Sequence, residues 1–278
     1  MPIGFNFNGS NGSPSAFGGT GLGSPSSIRR NFERLSSGRR INSAADDAAG
    51  LAISENLDAL TRSLTVAERN TGNGISIANV KEGALSSIGD LTSRMRELAV
   101  QAADGSLSAS DRGYLDAEFQ QLKQEVGRIS GSTEFNGQKL LEGAAGQVDV
   151  QVGDGTTPND TIAVETGGID TTTLGLDGLS LTSGTNAVAA IDGIDGALAA
   201  VNNARAENGA TLNRLDSARE STLSRRNLYL EANSKLRDAD YAEETSLLAR
   251  NQILQAARIS VTAQANQAAS LALNLLNR

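Results

Sequence analysis

Residues 44–103 read AADDAAGLAISENLDALTRSLTVAERNTGNGISIANVKEGALSSIGDLTSRMRELAVQAA, a long amphipathic pattern. Its apolar positions step by four and three residues, which is the spacing of one face of an α-helix. One apolar seam contains Ile53, Leu57, Leu60, Leu64 and Ala67, and a second contains Ala84, Ile88, Leu91, Met95, Leu98 and Ala102. A helix of this extent would be about 90 Å long. One compact core needs no helix of that length, so other helices of the chain must lie alongside it.

Both ends of this pattern carry helix-boundary signals. Ser43 followed by Asp46 matches a capping box with Asp in place of the usual Glu or Gln, and Asp47 adds negative charge to the first turn. Asp104 and Gly105 form the stop signal, because Gly readily adopts the left-handed conformation that ends many helices. These signals predict that the whole pattern is one helix.

Composition narrows the function classes. The formal net charge is -8, which argues against binding to nucleic acid or to an anionic membrane surface. The chain has neither His nor Cys, so it lacks the commonest general base and any thiol nucleophile. We therefore expect no enzyme, no cofactor and no metal site. No apolar run is long enough to span a membrane and no classical signal peptide opens the sequence, so export would use another route.

The first half of the chain divides into three predicted segments. Residues 1–25 are rich in Gly, Ser and Asn and predict a disordered tail. Residues 26–43 predict a short N-terminal core helix followed by a hinge. Residues 44–133 form the N-terminal helices of a bundle, because a capping box at Ser108 and Asp111 starts a second amphipathic helix that folds back antiparallel on the first.

Residues 134–184 change period and predict a small β-hairpin region. Asn136–Gly137 is a turn signal, and Val148, Val150 and Val152 alternate with polar residues as strand residues do. The acid-rich turn that follows lacks the ligand spacing of a known calcium loop. We therefore interpret that turn as a polar connection between two strands.

Helical periodicity returns in the last part of the chain. Residues 185–236 predict the C-terminal helix of the bundle, and residues 237–278 predict an Ala-rich C-terminal core helix. Its acidic start is explained by helix-end electrostatics without a metal. The candidate assembly residues on its narrow apolar seam are Leu254, Val261, Ala265, Ala268 and Leu275. The predicted fold is mainly α, with a long antiparallel helical bundle or coiled coil from both chain ends and a small β-hairpin region in the middle.

Six segments resemble one known family. They are ERLSSGRRINSAADDAAGLAIS (33–54), GISIANVKEGAL (74–85), SRMRELAVQAA (93–103), STEFNGQKLL (132–141), TLGLDGLSL (173–181) and LRDADYAEETSLLARNQILQAARISVTAQANQ (236–267). In this order they closely resemble the signature segments of bacterial flagellins. The chain is similar to a minimal flagellin with little or no outer domain, and it departs from the family in residues 1–25, where Gly and Pro replace an apolar helix.

The resemblance implies a function and a set of partners. Flagellins leave the cell unfolded through the flagellum's own type III apparatus and polymerise into the extracellular filament that the motor rotates for motility. The implied partners are other flagellin subunits, an export chaperone on the C-terminal helix, and the junction and cap proteins of the filament. Host flagellin receptors are further implied partners.

The resemblance also implies two recognition sites. The positions that match contacts of the animal Toll-like flagellin receptor are Arg94, Leu98 and Glu118. The positions that match the epitope of the plant flagellin receptor are Arg40, Asn42, Asp46 and Asp47. Arg94 and Leu98 are four residues apart, so we expect them to share a helix face that is exposed in a free subunit. Without the resemblance, Leu98 would be interpreted as a seam residue and Arg94 as a solvated charge.

Three alternatives stay open at this point. The chain could be the related hook-filament junction protein, or a minor flagellin that needs a major partner because its N-terminal core helix is truncated. It could also be a secreted adhesin on the same scaffold. The adhesin would need a larger, aromatic-bearing middle region, which residues 142–190 do not supply.

Overall fold

A computed structural model describes residues 25–276, and the side chains of these residues except 269 and 271–276. The helices are α1 (Pro25–Ser37), α2 (Ala48–Ala102), α3 (Ala109–Ser132), α4 (Gly184–Arg237) and α5 (Tyr241–Leu276). The strands are β1 (Glu134–Phe135), β2 (Gln138–Lys139), β3 (Gly146–Gln151) and β4 (Thr161–Thr166). The predicted disordered tail lies outside the described residues except for Pro25, and so does the side chain of Leu275.

The chain forms two compact units. Unit 1 contains residues 1–58 and 230–278, of which 25–58 and 230–276 are described, and unit 2 contains residues 59–229. Helices α2 and α4 each contribute to both units. The helices from the two ends of the sequence and the hairpins between them confirm the predicted fold class. The six-segment division of the sequence stays a prediction.

Unit 2 has two hydrophobic clusters. In the larger, which we call the helical core, apolar side chains of α2, α3 and α4 pack together with those of the loop between β4 and α4. Its largest fully buried side chains are Leu85, Ile88, Met95, Leu98, Phe119, Leu141, Leu176, Leu181 and Ile194. In the smaller, which we call the hairpin cluster, β3 and β4 pack on Ile77 of α2 and Leu215 of α4.

The β region follows the sequence signals. Strands β3 and β4 are antiparallel, and Val150 pairs with Ile162 so that both side chains enter the hairpin cluster. Strands β1 and β2 are joined by Asn136 and Gly137, whose φ angles are 51° and 79°. A two-residue hairpin of this kind needs positive φ at both central residues, which Asn and Gly tolerate best. Both predicted hairpin signals are therefore confirmed.

The start of α2 differs from the prediction. The helix begins at Ala48, not Ala44, because Ser43 and Asp46 close a separate turn. Asp46 Oδ2 accepts hydrogen bonds from the Ser43 N–H at 3.0 Å and from the Ser43 hydroxyl at 3.1 Å. The helix cap is Asp47, whose Oδ1 accepts from the Gly50 N–H at 2.8 Å.

The end of α2 also differs. The helix ends at Ala102, and Gly105 does not adopt positive φ. The guanidinium of Arg112 in α3 satisfies the free carbonyls instead, with Nε donating to Ala102 O at 2.8 Å and Nη2 donating to Asp104 O at 2.7 Å. An arginine from the next helix therefore replaces the predicted glycine cap.

The capping box of α3 is confirmed, with Ser108 as N-cap and its hydroxyl accepting from the Asp111 N–H. Helix α4 begins at Gly184, one residue before the predicted start at 185, and the Ser183 hydroxyl accepts from the Asn186 N–H at 3.1 Å. Helix α5 begins at Tyr241, four residues after the predicted start at 237, because Asp240 Oδ1 accepts from the N–H groups of the first turn. Residues 167–183 form turns without a helix or strand.

Candidate functional site

In unit 1, two short segments from opposite halves of the chain pair with each other. The Arg40 N–H donates to Arg237 O at 2.6 Å, and the Ala239 N–H donates to Gly38 O at 2.9 Å. Between these bonds, Arg39 and its partner Asp238 form an isolated antiparallel bridge. We call residues 38–40 and 237–239 the clasp.

The clasp fixes the residues that were matched to the plant-receptor epitope. Arg40 Nη2 donates to Leu236 O at 2.7 Å, and the Asn42 amide donates to Arg39 O at 3.3 Å. Burial raises the pKa of Asp46, but the hydrogen bonds from Ser43 and Asn42 outweigh it and hold that pKa below its ordinary value. Asp46 therefore keeps its charge and this turn at neutral pH.

A polar cluster around the buried residues Ser54 and Arg237 adjoins the clasp, where sequence periodicity gave no signal for it. Arg237 Nη1 donates to Ser54 Oγ at 3.2 Å and to Glu55 Oε1 at 3.1 Å. Asn233 Nδ2 donates to Asp58 Oδ1 at 2.6 Å, and Ser54 Oγ donates to Asn233 Oδ1 at 2.7 Å. The neighbouring Ile53, predicted as a seam residue, is half exposed, because α2 turns Ser54 inward to reach this cluster.

Helix α5 leaves its apolar residues uncovered. Every described side chain from Ala256 to Ala268 is exposed, and Val261 is 65% exposed. Of the candidate assembly residues, Leu254 is half-buried while Val261, Ala265 and Ala268 are exposed. We call the exposed apolar residues Ile253, Ile259, Val261, Ala265 and Ala268 the α5 surface. An isolated helix of this kind is marginally stable in water, so this surface is suited to packing against another protein.

The residues matched to the animal receptor lie in unit 2. Arg94 Nη2 and Glu118 Oε1 are 3.0 Å apart, and Arg94 Nη1 is 2.8 Å from Glu97 Oε2. The hydrogen bonds that Arg94 donates to Glu97 and then to Glu118 raise the pKa of Arg94. Leu98 is only 1% exposed, because it belongs to the helical core. The expectation of an exposed face therefore holds for Arg94 and is wrong for Leu98.

In the part of the chain that the structure describes, no group of three or more His, Cys, Asp or Glu side chains could hold a metal ion. Within residues 25–276 no helix is long and apolar enough to cross a membrane. Unit 1 contains the clasp, the polar cluster around Ser54 and Arg237, and the exposed apolar residues of the α5 surface.

Comparisons with known proteins agree with this arrangement. The family model for the bacterial flagellin N-terminal helical region matches residues 23–145, and the model for the bacterial flagellin C-terminal helical region matches residues 191–276. The chain belongs to the bacterial flagellin family. The two matched regions contain all of α1, α2, α3 and α5 and most of α4.

Individual flagellins show how far the likeness extends. A flagellin of Halalkalibacterium halodurans is 41% identical over 88% of this chain and 90% of its own length. A flagellar filament 30.7 kDa core protein of Treponema maltophilum is 38% identical over 90% of this chain and 92% of its own. The crystal structure of Bacillus cereus flagellin has a TM-score of 0.50 at 34% identity, and the match covers 55% of this chain and 88% of that one.

Proposed function

We propose that this flagellin is a structural subunit that polymerises through its terminal and bundle helices into the flagellar filament. The observation that carries the proposal is the α5 surface, an apolar and Ala-rich helix whose side chains from Ala256 to Ala268 are all exposed. Between Asn251 and Leu276 the sequence has one charged residue, Arg258. Burying such a face against neighbouring copies gains hydrophobic free energy at little cost in desolvated charge.

The family supplies the finer parts of the proposal. The subunit leaves the cell through the flagellar type III apparatus and works outside the cell. Before assembly an export chaperone covers the α5 surface, and the junction and cap proteins of the filament meet the same terminal helices. An uncovered helix of low charge supports these contacts, because each of them buries apolar area.

Receptor recognition is a separate part of the proposal. Arg94 and Glu118 are exposed on neighbouring helices α2 and α3, where one receptor surface could contact both. Leu98 lies beneath them and acts through packing. A plant receptor would bind one hydrogen-bonded segment that begins at the clasp and contains Arg40, Asn42, Asp46 and Asp47.

Polymerisation can be tested with the purified full-length chain and filament fragments as seeds. The wild type and the matched Val261→Leu control should form helical filaments in the electron microscope, since both keep an apolar side chain on the α5 surface. Val261→Asp should stay soluble, because filament contacts would bury its charge. Wild-type protein that stays monomeric with seeds would contradict the proposal and favour a junction protein or a minor subunit.

A further inference from the structure

In unit 1, the most buried side chains of helix α1 are polar. Ser27 and Asn31 are buried, the apolar Ile28 and Leu35 are half-buried, and Phe32 is 52% exposed. The two helices run antiparallel, because Tyr241 at the start of α5 bonds Leu35 near the end of α1. This inversion needs an explanation, since apolar side chains normally fill a helix–helix interface.

The explanation lies in four polar residues that fit together. Asn31 Nδ2 donates to Glu244 Oε2 at 2.6 Å, and Arg34 Nη1 donates to Glu244 Oε1 at 2.9 Å. Asn251 Nδ2 donates to Asn31 Oδ1 at 2.9 Å. Asn31, Glu244 and Asn251 are each less than a tenth exposed. We call these four residues the register cluster.

This alignment of the helices pairs the amide groups of Asn31 and Asn251 with each other and the Asn31 amide with Glu244. Arg34 Nε is nevertheless buried without a hydrogen-bond partner among the described residues. Glu244 and Asn251 are seven residues apart, so they lie on one face of α5 two turns from each other, and Asn31 reaches both. Half-buried Leu247 and Leu254 follow each of them by three residues on the same side. A slip of α1 by one turn, about 5.4 Å, would set the amide and the carboxylate against leucines and leave them unpaired.

Apolar packing alone would not prevent such a slip. Beyond Asn251 the helix continues with exposed Ala, Ile and Val side chains, which offer α1 similar contacts at several heights. Buried polar groups add little net stability, but a misplaced one is costly, and a single buried Asn can fix the register of a helix pair. Several alignments of α1 and α5 would have similar hydrophobic contacts and so similar free energies. The hydrogen bonds of the register cluster favour one of them.

We propose that Asn31, Glu244 and Asn251, with Arg34, are specificity-determining residues that set the register of α1 against α5, in addition to the clasp, whose backbone bonds join the adjacent ends of these two helices. The register decides which length of α5 is covered by α1 and which length stays free for neighbouring copies. This consequence rests on the proposed filament function, whereas the register itself is a property of the single chain.

The register can be measured in the full-length chain, which has no Cys of its own. Spin labels on Glu33→Cys in α1 and Ala249→Cys in α5, both exposed positions, should give a single narrow distance by pulsed electron resonance. Asn31→Asp sets a second carboxylate beside Glu244, so this distance should shift by about 5 Å, one helical turn, or be lost. In the double variant Asn31→Asp with Glu244→Gln, the amide of residue 244 donates to the carboxylate of residue 31. The hydrogen bond is kept with its direction reversed, so the original distance should return.

Three results with these variants would overturn the proposal, and a fourth comes from a further variant. They are a broad distance distribution in the otherwise unaltered chain, an unchanged distance in Asn31→Asp, and a double variant that does not recover the original distance. A second variant, Asn31→Leu with Asn251→Leu, keeps the helix pair apolar and should show more than one distance. A single unchanged distance there would also contradict the proposal. These measurements use unassembled chains, so a failure to polymerise would count against the proposed function and leave the register readout intact.

Discussion

The side-chain Nζ of Lys81 lies 2.8 Å from the backbone carbonyl oxygen of Glu165 and donates a hydrogen bond to it. Lys81 is 4% exposed and occupies α2 between Ile77 of the hairpin cluster and Leu85 of the helical core. Its ammonium therefore joins α2 to β4 at the boundary between two apolar regions. Because this cation is buried, the unfolding free energy of unit 2 should depend on pH in the alkaline range.

Burial lowers the pKa of Lys81 below its ordinary value of 10.5, although the charges of Glu165 and Glu207 oppose the shift. The unfolded chain therefore holds this proton more tightly than the folded chain. As the pH rises through the folded-state pKa toward 10.5, the folded chain loses this proton first, and the unfolding free energy should increase.

Lys81→Met isolates that effect, because it lacks the titrating group. Urea unfolding of both proteins should show the wild type gaining stability relative to Lys81→Met as the pH rises through the alkaline range toward 10.5. Comparison of the two proteins cancels the titration of other residues. If the two unfolding free energies differed by the same amount at every pH in this range, burial would not be lowering the pKa of Lys81.

Glycines inside α2 give a second prediction. A Cβ at Gly72 or Gly83 would meet nothing within 4 Å, whereas a Cβ at Gly74 would lie 3.0 Å from Val150 Cγ2. Gly72→Ala and Gly83→Ala should each raise the unfolding free energy by about 0.5–1 kcal/mol, because alanine favours helix. Gly74→Ala is the matched control and should lower it. If all three substitutions changed the unfolding free energy equally in thermal unfolding, the close approach of Val150 to Gly74 would not matter.

The buried guanidinium of Arg237 gives a third prediction. Arg237→Ala should lower the unfolding free energy by about 2 kcal/mol, less than for a fully enclosed pair because Glu55 is largely exposed. Lys235→Ala removes an exposed pair with Glu231 in the same helix turn and should change stability by no more than about 0.5 kcal/mol. Chemical denaturation followed by circular dichroism compares the two. Similar losses would mean that the polar cluster adds nothing specific.

The animal-receptor proposal gives a fourth prediction. Arg94→Ala and Glu118→Ala should reduce receptor signalling several-fold while leaving the unfolding free energy nearly unchanged, because their ion pair is exposed. Arg128→Ala breaks a comparable exposed pair on α3 and serves as the control. Leu98→Ala should cost about 2–5 kcal/mol of stability through the lost packing. Reporter-cell assays on folded monomers would contradict the proposal if Arg94→Ala and Arg128→Ala signalled alike.

Local signals in the sequence predicted local structure well. The capping box at Ser108 and the turn at Asn136–Gly137 are confirmed because each depends on neighbours within three residues. The start of α2 could not be fixed in this way. Asp46 and Asp47 are both good caps, and in the structure Asp46 closes the preceding turn with Ser43 while Asp47 caps the helix.

Buried polar residues were beyond the reach of periodicity. Asn31 and Arg237 look like surface residues in a hydrophobic pattern, and their partners lie about 200 positions away along the chain. Leu98 shows the converse. The resemblance to receptor contacts placed it on a surface, while its own periodicity placed it in the seam, and the seam interpretation agrees with the structure.

The clasp also has a consequence in time. Arg40 meets Leu236 across 196 positions of sequence, whereas unit 2 is one uninterrupted stretch of chain. Contacts of long sequence separation form late, because a large loop must close first. During synthesis from the N-terminal side, α1 therefore has no partner until α5 has been made. Unit 1 folds only after α5 is present, so a chain that stops before α5 lacks most of the second segment of this unit.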